Sequence, residues 1–304
     1  MARFVQMLPR SGVFADQNLM IVPRGGFNLV YLRDAADVRL SHDARLAVHD
    51  VKFDDVERIA KEYLQTRARG AAHADLLLQL RTVMYGGIAA QSTGRLLQVR
   101  ALGTGIPILT ATRGASVLKL DVAIMPRKEH TVAFKFLKHT VASRSVVPLT
   151  KTTPADASGW IDRLNWIYGA QANVHFRLVG ADWLSYPTPV AQPMNFEVFE
   201  KTLASHKHAG AALTCFLVGR YKGSAHGSEA AGSYSVPHRI CVLDDGPNHG
   251  IFDDWMYDSF TGVMAHEFMH FAGGSHHDRG RILMSRGLET LDFDKQLVSQ
   301  INAW

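Results

Sequence analysis

The stretch "MAHEFMHFAGGSHHDRGRILMSRG", residues 264–287, holds four histidines, a glutamate and four glycines and closes on a methionine-containing turn. Upstream, "DSFTGV" offers Asp258 or Ser259 as an N-cap, and Gly273 fits the residue just past a helix end. The spacing therefore predicts a helix ending at Gly273. On it His266 and His270 lie four apart, so both imidazoles leave one face. A metal ion about 2.0–2.1 Å from each ring nitrogen is then easily reached. Glu267 angles off beside the same site, where it can take a proton from a water that the metal activates. A catalytic zinc site needs a third protein ligand and one open position. Gly273 can adopt positive φ and turn the chain, which lets His276 return to the metal. His277 is then left over; by itself it reads as solvated or as a neighbour of a ligand. Asp278 reads as a loop hydrogen-bonder or a partner to a ligand histidine.

"HEFMHFAGGSH" fills every fixed position of H-E-x-x-H-x-x-G-x-x-H. With Met284 eight residues after His276, the segment resembles the metzincin zinc endopeptidases, whose long motif is followed by a methionine turn. The short interval to the methionine is similar to the matrixin branch. The helix-then-strand "LNWIYGAQANVHFRLV" and the C-terminal "TLDFDKQLVSQINAW" also look like parts of that family's fold. The resemblance spans about 131–304, and its specific motif is confined to 266–284. It implies one catalytic Zn2+ on His266, His270 and His276, Glu267 as general base, Gly273 as the turn and Met284 as an apolar floor under the metal. It also implies an antiparallel edge strand that pairs with an extended protein or peptide substrate, for which 228–236 is the candidate. The loop at 285–292 would wall a side-chain pocket.

Three positions depart from family patterns. His277 stands where adamalysins carry Asp, and Asp278 comes one residue later. No tyrosine stands two residues after Met284, so the extra tyrosine ligand of astacins and serralysins is not expected. No cysteine precedes Cys215, which removes a cysteine switch from the N-terminal region.

Composition supplies the exclusions. The chain has 304 residues, 47% hydrophobic and 20% charged, with net charge +5 and pI near 9.2. This fits a globular protein long enough for two domains. No run of five Lys/Arg and no basic–aromatic interleaving occurs, so a nucleic-acid partner is not expected. No apolar run is long enough for a transmembrane helix. The N-terminus lacks an apolar signal core. The expectation is export without a cleaved signal, or with the signal already removed, and a cytoplasmic site is the alternative. Cys215 and Cys241 lie in the strand-like runs "AALTCFLVG" and "RICVL"; buried reduced thiols are the default and one disulfide the alternative. Nothing in the sequence sets the oligomeric state.

Working outward, residues 1–126 read as a mostly β region with a helical insert. Strands are expected at 27–33, 95–101, 106–112 and 116–124. "FDDVERIAKEYLQTRARG" puts Val56, Ile59, Ala60, Tyr63 and Leu64 on one helical face, and 73–87 reads as a second helix. The closing strands of this region resemble a bacterial Ig-like module. "MPRKEH" marks the expected boundary. From 131 the order is strand, helix (with Trp160, Ile161, Leu164, Ile167 and Tyr168 at helical spacing), strands at 173–179, 211–219 and 233–243, then the histidine helix and a final helix. The fold class expected is α+β. A metzincin-like catalytic domain at 131–304 has a twisted mixed sheet, active-site helix, methionine turn and C-terminal helix. It follows an Ig-like, targeting or pro-domain at 1–126.

The expected activity is zinc endopeptidase. Two other classes stay open: a zinc hydrolase of cell-wall peptide amides, and a non-catalytic binding or delivery protein with a vestigial metal site. Glu267 argues against the last, because a vestigial site has no need of its base.

Overall fold

A computed structural model describes residues 2–6, 19–65, 73–89, 94–141, 145–148, 150, 152–186, 194–195, 201–218, 221–222, 232–244, 259–276 and 298–301. The chain divides into two compact units. The first comprises Met1–Lys128, Asp162–His175 and Thr290–Ala303; the second comprises Glu129–Ile161, Phe176–Glu289 and Trp304.

The first unit holds β1 (Arg3–Gln6), β2 (Leu19–Pro23), β3 (Phe27–Arg33), β4 (Arg39–His42), β5 (Leu46–Asp50), β6 (Arg95–Ala101), β7 (Ile108–Arg113) and β8 (Ser116–Met125). They form two four-stranded sheets, β1-β3-β6-β5 and β2-β8-β7-β4. One core serves both: Phe4, Val30, Leu32, Leu97 and Val99 from one sheet meet Met20, Val22, Leu109, Leu120 and Val122 from the other. Alternate residues of β3, β6, β7 and β8 fill this layer. Strands β1, β2, β4 and β5 escape the sequence reading. Each is four or five residues long, and β4 and β5 carry exposed polar ends, so only pairing across the sheets defines them.

Between β5 and β6 lie α1 (Val56–Gln65) and α2 (His73–Ala89). The five residues expected on the inner face of α1 are the ones it buries. Tyr63 meets Phe27 edge-on at 5.8 Å and Trp166 at 5.9 Å, and its hydroxyl is 3.3 Å from Asn28 Oδ1. The Asn28 amide in turn donates to the Ile21 and Ala170 carbonyls, so this buried polar group is satisfied.

The second unit is built on a six-stranded mixed sheet. Its elements are β9 (Lys128–Val141), β10 (Ser145–Pro148), the start of α3 (Ala157–Ala172), β11 (Val174–Tyr186), β12 (Met194–Asn195), β13 (Leu213–Val218), β14 (Tyr221–Lys222), β15 (Gly232–Ser235), β16 (Ile240–Asp244) and α4 (Ser259–Phe271). The order is β10-β9-β13-β16-β15, with β11 also paired to β9. β13 runs parallel to both β9 and β16, and every residue of "LTCFLV" is buried, as a central covered strand requires. β15 is antiparallel to β16 and ends the order. The short β12 and β14 pair separately.

The single strand expected at 233–243 is in fact a hairpin. β15 and β16 are joined by Val236–Arg239, closed by the Arg239 amide on the Ser235 carbonyl at 2.8 Å, with Arg239 at φ 52°. Pro237 has no amide hydrogen to give a ladder, which is why the apolar run breaks there. Likewise β9 begins at Lys128, so only Pro126 and Arg127 of "MPRKEH" stay outside strands. Cys215 and Cys241 are register partners on β13 and β16; both are free and buried. Burial and the adjacent Cys215 thiol push the Cys241 thiol up, so it stays protonated.

Thus the α+β class with mixed sheets holds. Of the expected final helix, 298–301 is helical and the remainder lies outside the described residues. Among the described residues no helix is long and apolar enough to cross a membrane.

Candidate metal centre

α4 is apolar almost all round, which suits a helix enclosed by its own unit rather than one lying on the surface. Val263, Met264, Ala265, Phe268, Met269 and Phe271 are buried, as is Thr261. Phe268 stacks edge-on to Phe176 of β11 at 4.9 Å, and Phe260 to Trp160 at 5.1 Å. These contacts fix the helix rotation, and with it the direction in which its polar side chains leave.

The helix ends in a Schellman motif. The Gly273 amide donates to the His270 carbonyl at 3.1 Å, and the Gly274 amide to the Met269 carbonyl at 2.8 Å. Gly273 takes φ +89°, the left-handed conformation expected for it. Alanine there would carry a left-handed penalty of roughly 1–2 kcal/mol. Gly273→Ala is therefore expected to lower unfolding stability by that amount and to weaken metal binding by misdirecting His276. Denaturant unfolding and metal titration of the variant check this; an unchanged midpoint and affinity would refute it.

The turn brings the third histidine home. The ring centroids of His266, His270 and His276 form a triangle with sides of 5.0, 5.0 and 4.6 Å. One ring nitrogen from each lies within 4.8 Å of the others, and His266 Nε2 faces His276 Nε2 at 3.0 Å. His266 is buried, His270 half-buried and His276 exposed, so the group opens to solvent on the His276 side.

The donor set fits a zinc ion. His270 Nδ1 lies 3.0 Å from the Gly274 carbonyl. A carbonyl can only accept, so Nδ1 carries the hydrogen and Nε2 keeps its lone pair for a metal. Burial, followed by the charge of His266, pushes His270 down to about 4, so the imidazole is neutral near pH 7, as a ligand must be. Three neutral imidazoles are a common protein share of a catalytic zinc site.

Gly274 is a residue the sequence reading passed over. Its carbonyl orients His270, and a β-carbon on it would overlap the Met269 side chain. The doubled glycine in "FAGGSH" was the available signal.

Glu267, on the same helix, is 6% exposed. Burial pushes its carboxyl up to about 8. A cation bound at the histidines would pull it back down by stabilising the carboxylate. His277, Asp278, Met284 and the loop at 285–292 lie outside the described residues. Of the candidate edge strand 228–236, Gly232–Ser235 is strand, Val236 belongs to the turn, and 228–231 lie outside the described residues.

These shifts act on the metal-free protein in opposite senses. His270 takes its proton more readily when unfolded, so its contribution to stability is lost as pH falls from 6.5 through about 4. Glu267 holds its proton more tightly when folded; its contribution is complete below 4.5 and is lost as pH rises through about 8. The two cancel between 4.5 and 6.5, and above 6.5 Glu267 acts alone. The thermal midpoint of metal-free protein is therefore expected to fall between pH 6.5 and 8, relative to a Glu267→Gln variant. Parallel midpoints for the two proteins over that range would refute it.

No family model and no curated protein matches the chain. Among solved structures, archaemetzincin from Methanopyrus kandleri is similar over 58% of this chain and 94% of its own, at 13% identity and a TM-score of 0.41. A zinc-dependent peptidase from Methanocorpusculum labreanum is similar over 57% of this chain and 100% of its own, at 12% identity and a TM-score of 0.39. Domains 4 and 5 of the S-layer protein SbsC align with 36% of this chain and 42% of their own, at 11% identity and a TM-score of 0.21. At such scores these likenesses carry no weight for this chain's chemistry, which rests on the convergence of His266, His270 and His276 beside a buried Glu267.

Proposed function

We propose that this chain is a zinc-dependent endopeptidase of metzincin type, with matrixin-like spacing between its third histidine and Met284. One observation carries the reading: three imidazole nitrogens converge within 4.8 Å of one another, two from a helix that also carries Glu267 and the third from the turn that follows it. His266, His270 and His276 would hold one Zn2+. When bound, that ion supplies Lewis acidity, which polarises a carbonyl and acidifies a water.

The residues of the chain do the rest. His270 is kept in its Nδ1–H tautomer by the Gly274 carbonyl. Glu267 accepts a proton from the attacking water and returns it to the leaving amine, which is general base and then general acid work. The low-dielectric surroundings that raise its proton affinity favour the accepting step. β15, antiparallel to β16 at the end of the sheet order, is the candidate strand for an extended peptide. His277 and Asp278 are assigned to hydrogen bonding around the ligands, and Met284 to the apolar floor.

The catalytic side chains all belong to the second unit. The β-rich region 1–126 is assigned to targeting or adhesion.

The test is cleavage profiling on a peptide library, with casein and cell-wall peptide fragments in parallel. Zinc-loaded protein is expected to cut internal peptide bonds. Cleavage of wall fragments alone would move the reading to a cell-wall amidase. Silence on every substrate, with one zinc bound per chain, would favour a binding protein.

A further inference from the structure

We propose that Gly232, on the edge strand β15, is the positioning residue that sets the orientation of the Glu267 side chain. The proposal rests on the reading of Glu267 as the base. A β-carbon at position 232 would stand 2.7 Å from Glu267 Cγ, 2.9 Å from Glu267 Oε1 and 2.8 Å from Val263 Cγ1. Real β-carbons do not approach other heavy atoms that closely. The strand backbone therefore lies directly on the Glu267 side chain because position 232 has no side chain of its own.

Backbone conformation gives no other reason for glycine here. Gly232 is not among the glycines with positive φ, unlike Gly273. What position 232 needs from glycine is space.

Three residues of α4, each four apart, form the surface under β15. Val263 and Glu267 face Gly232, and Phe271 meets the Tyr234 ring edge-on at 6.1 Å. Gly232 and Tyr234 are two apart on a strand, so they share the face turned to the helix. The Tyr234–Phe271 contact and the ladder to β16, Gly232 with Leu243 through Ser235 with Ile240, tie the strand down at its far end.

That arrangement decides which group yields if a methyl is added. Val263 is 4% exposed and β-branched, hence stiff about χ1. The Glu267 side chain has more rotatable bonds than either neighbour. A methyl at 232 therefore displaces the carboxylate, and its clash with the stiff Val263 is relieved only when Val263 is shortened as well. The consequence falls on the reacting group more than on the fold.

The test uses G232A, V263A and the G232A/V263A double variant in the full chain, loaded with zinc. Crystal structures of V263A and the double variant are compared first. The expected result is a displaced Glu267 carboxylate with the backbones of β15 and α4 in place. Kinetically, kcat should fall on the order of 10²-fold, as a misplacement of about 1 Å can cause. KM should stay within about twofold and zinc stoichiometry at the wild-type value. The double variant lacks the Val263 contact and keeps the clash with Glu267, so its kcat should remain low relative to V263A. If G232A does not fold, the double variant carries the comparison.

Recovery of kcat in the double variant to the V263A level would make Gly232 a packing residue for the helix and overturn the proposal. So would an unmoved Glu267 beneath a lifted β15. If the wild type cleaves nothing, the reading of Glu267 as a base fails, and the structures alone still decide whether Gly232 orients its side chain.

Discussion

Replacing Glu267 with glutamine is expected to lower kcat by about 10²–10⁴-fold, the usual contribution of a positioned general base. Zinc content should stay at one ion per chain. The two outcomes separate because Glu267 is not one of the converging groups: the nitrogens belong to His266, His270 and His276. Glutamine keeps the shape of the side chain against Gly232 and Val263 but cannot accept the proton. It should not destabilise the fold, since a neutral amide avoids the burial cost of a carboxylate at a site 6% exposed. Metal analysis, thermal unfolding and single-turnover cleavage on one preparation check all three claims. Full activity in Glu267→Gln would end the assignment of the base. Loss of zinc together with activity would instead place Glu267 among the ligands.

The second large effect is expected from the histidines. His266→Ala should abolish stoichiometric zinc binding and cleavage together. Removing a group that merely supports a ligand typically costs 10–100-fold in metal affinity or activity, and a lost ligand should exceed that. His270→Ala and His276→Ala should behave alike, because each contributes one nitrogen to the same group. Their effects on the fold should differ. His266 is buried on α4, whereas His276 is exposed beyond the turn, so His276→Ala should leave the unfolding midpoint nearly unchanged. Chelation of the wild type should mimic the loss, and added zinc should restore it. Stoichiometric zinc retained by all three variants would show that the cation sits elsewhere. His277→Ala separates the two adjacent histidines: zinc stoichiometry should be kept, because the nitrogens of the three other histidines already converge.

Much of this was legible in the sequence because the information is local. A helix repeats every 3.6 residues, so the spacing of His266 and His270 fixes their common face before any tertiary contact forms. A glycine three residues on reads as a left-handed stop, and Gly273 is one. The inner face of α1 follows from periodicity, and the strands at 27–33 and 95–101 from β-prone runs set off by glycine-containing turns.

Where the reading failed, pairing decided. The hairpin at 232–244 looked like one strand because apolar residues flank Pro237 on both sides. Strands β1, β2, β4 and β5 are too short to carry a pattern of their own, and their partners are distant in sequence: β2 pairs with β8, and β5 with β6 across the helical insert.

The sequence by itself determined which side chains can form the metal group, because helix pitch and a glycine stop are properties of a few consecutive residues. Only the tertiary structure decided how that group is supported. The Gly274 carbonyl on His270 needs the turn to be closed, and the seat of Glu267 against Gly232 needs a strand thirty-five residues earlier to be laid over the helix. Burial of Glu267, and with it the upward push on its carboxyl, belongs to that second kind of information, since it depends on what the rest of the chain brings to cover it.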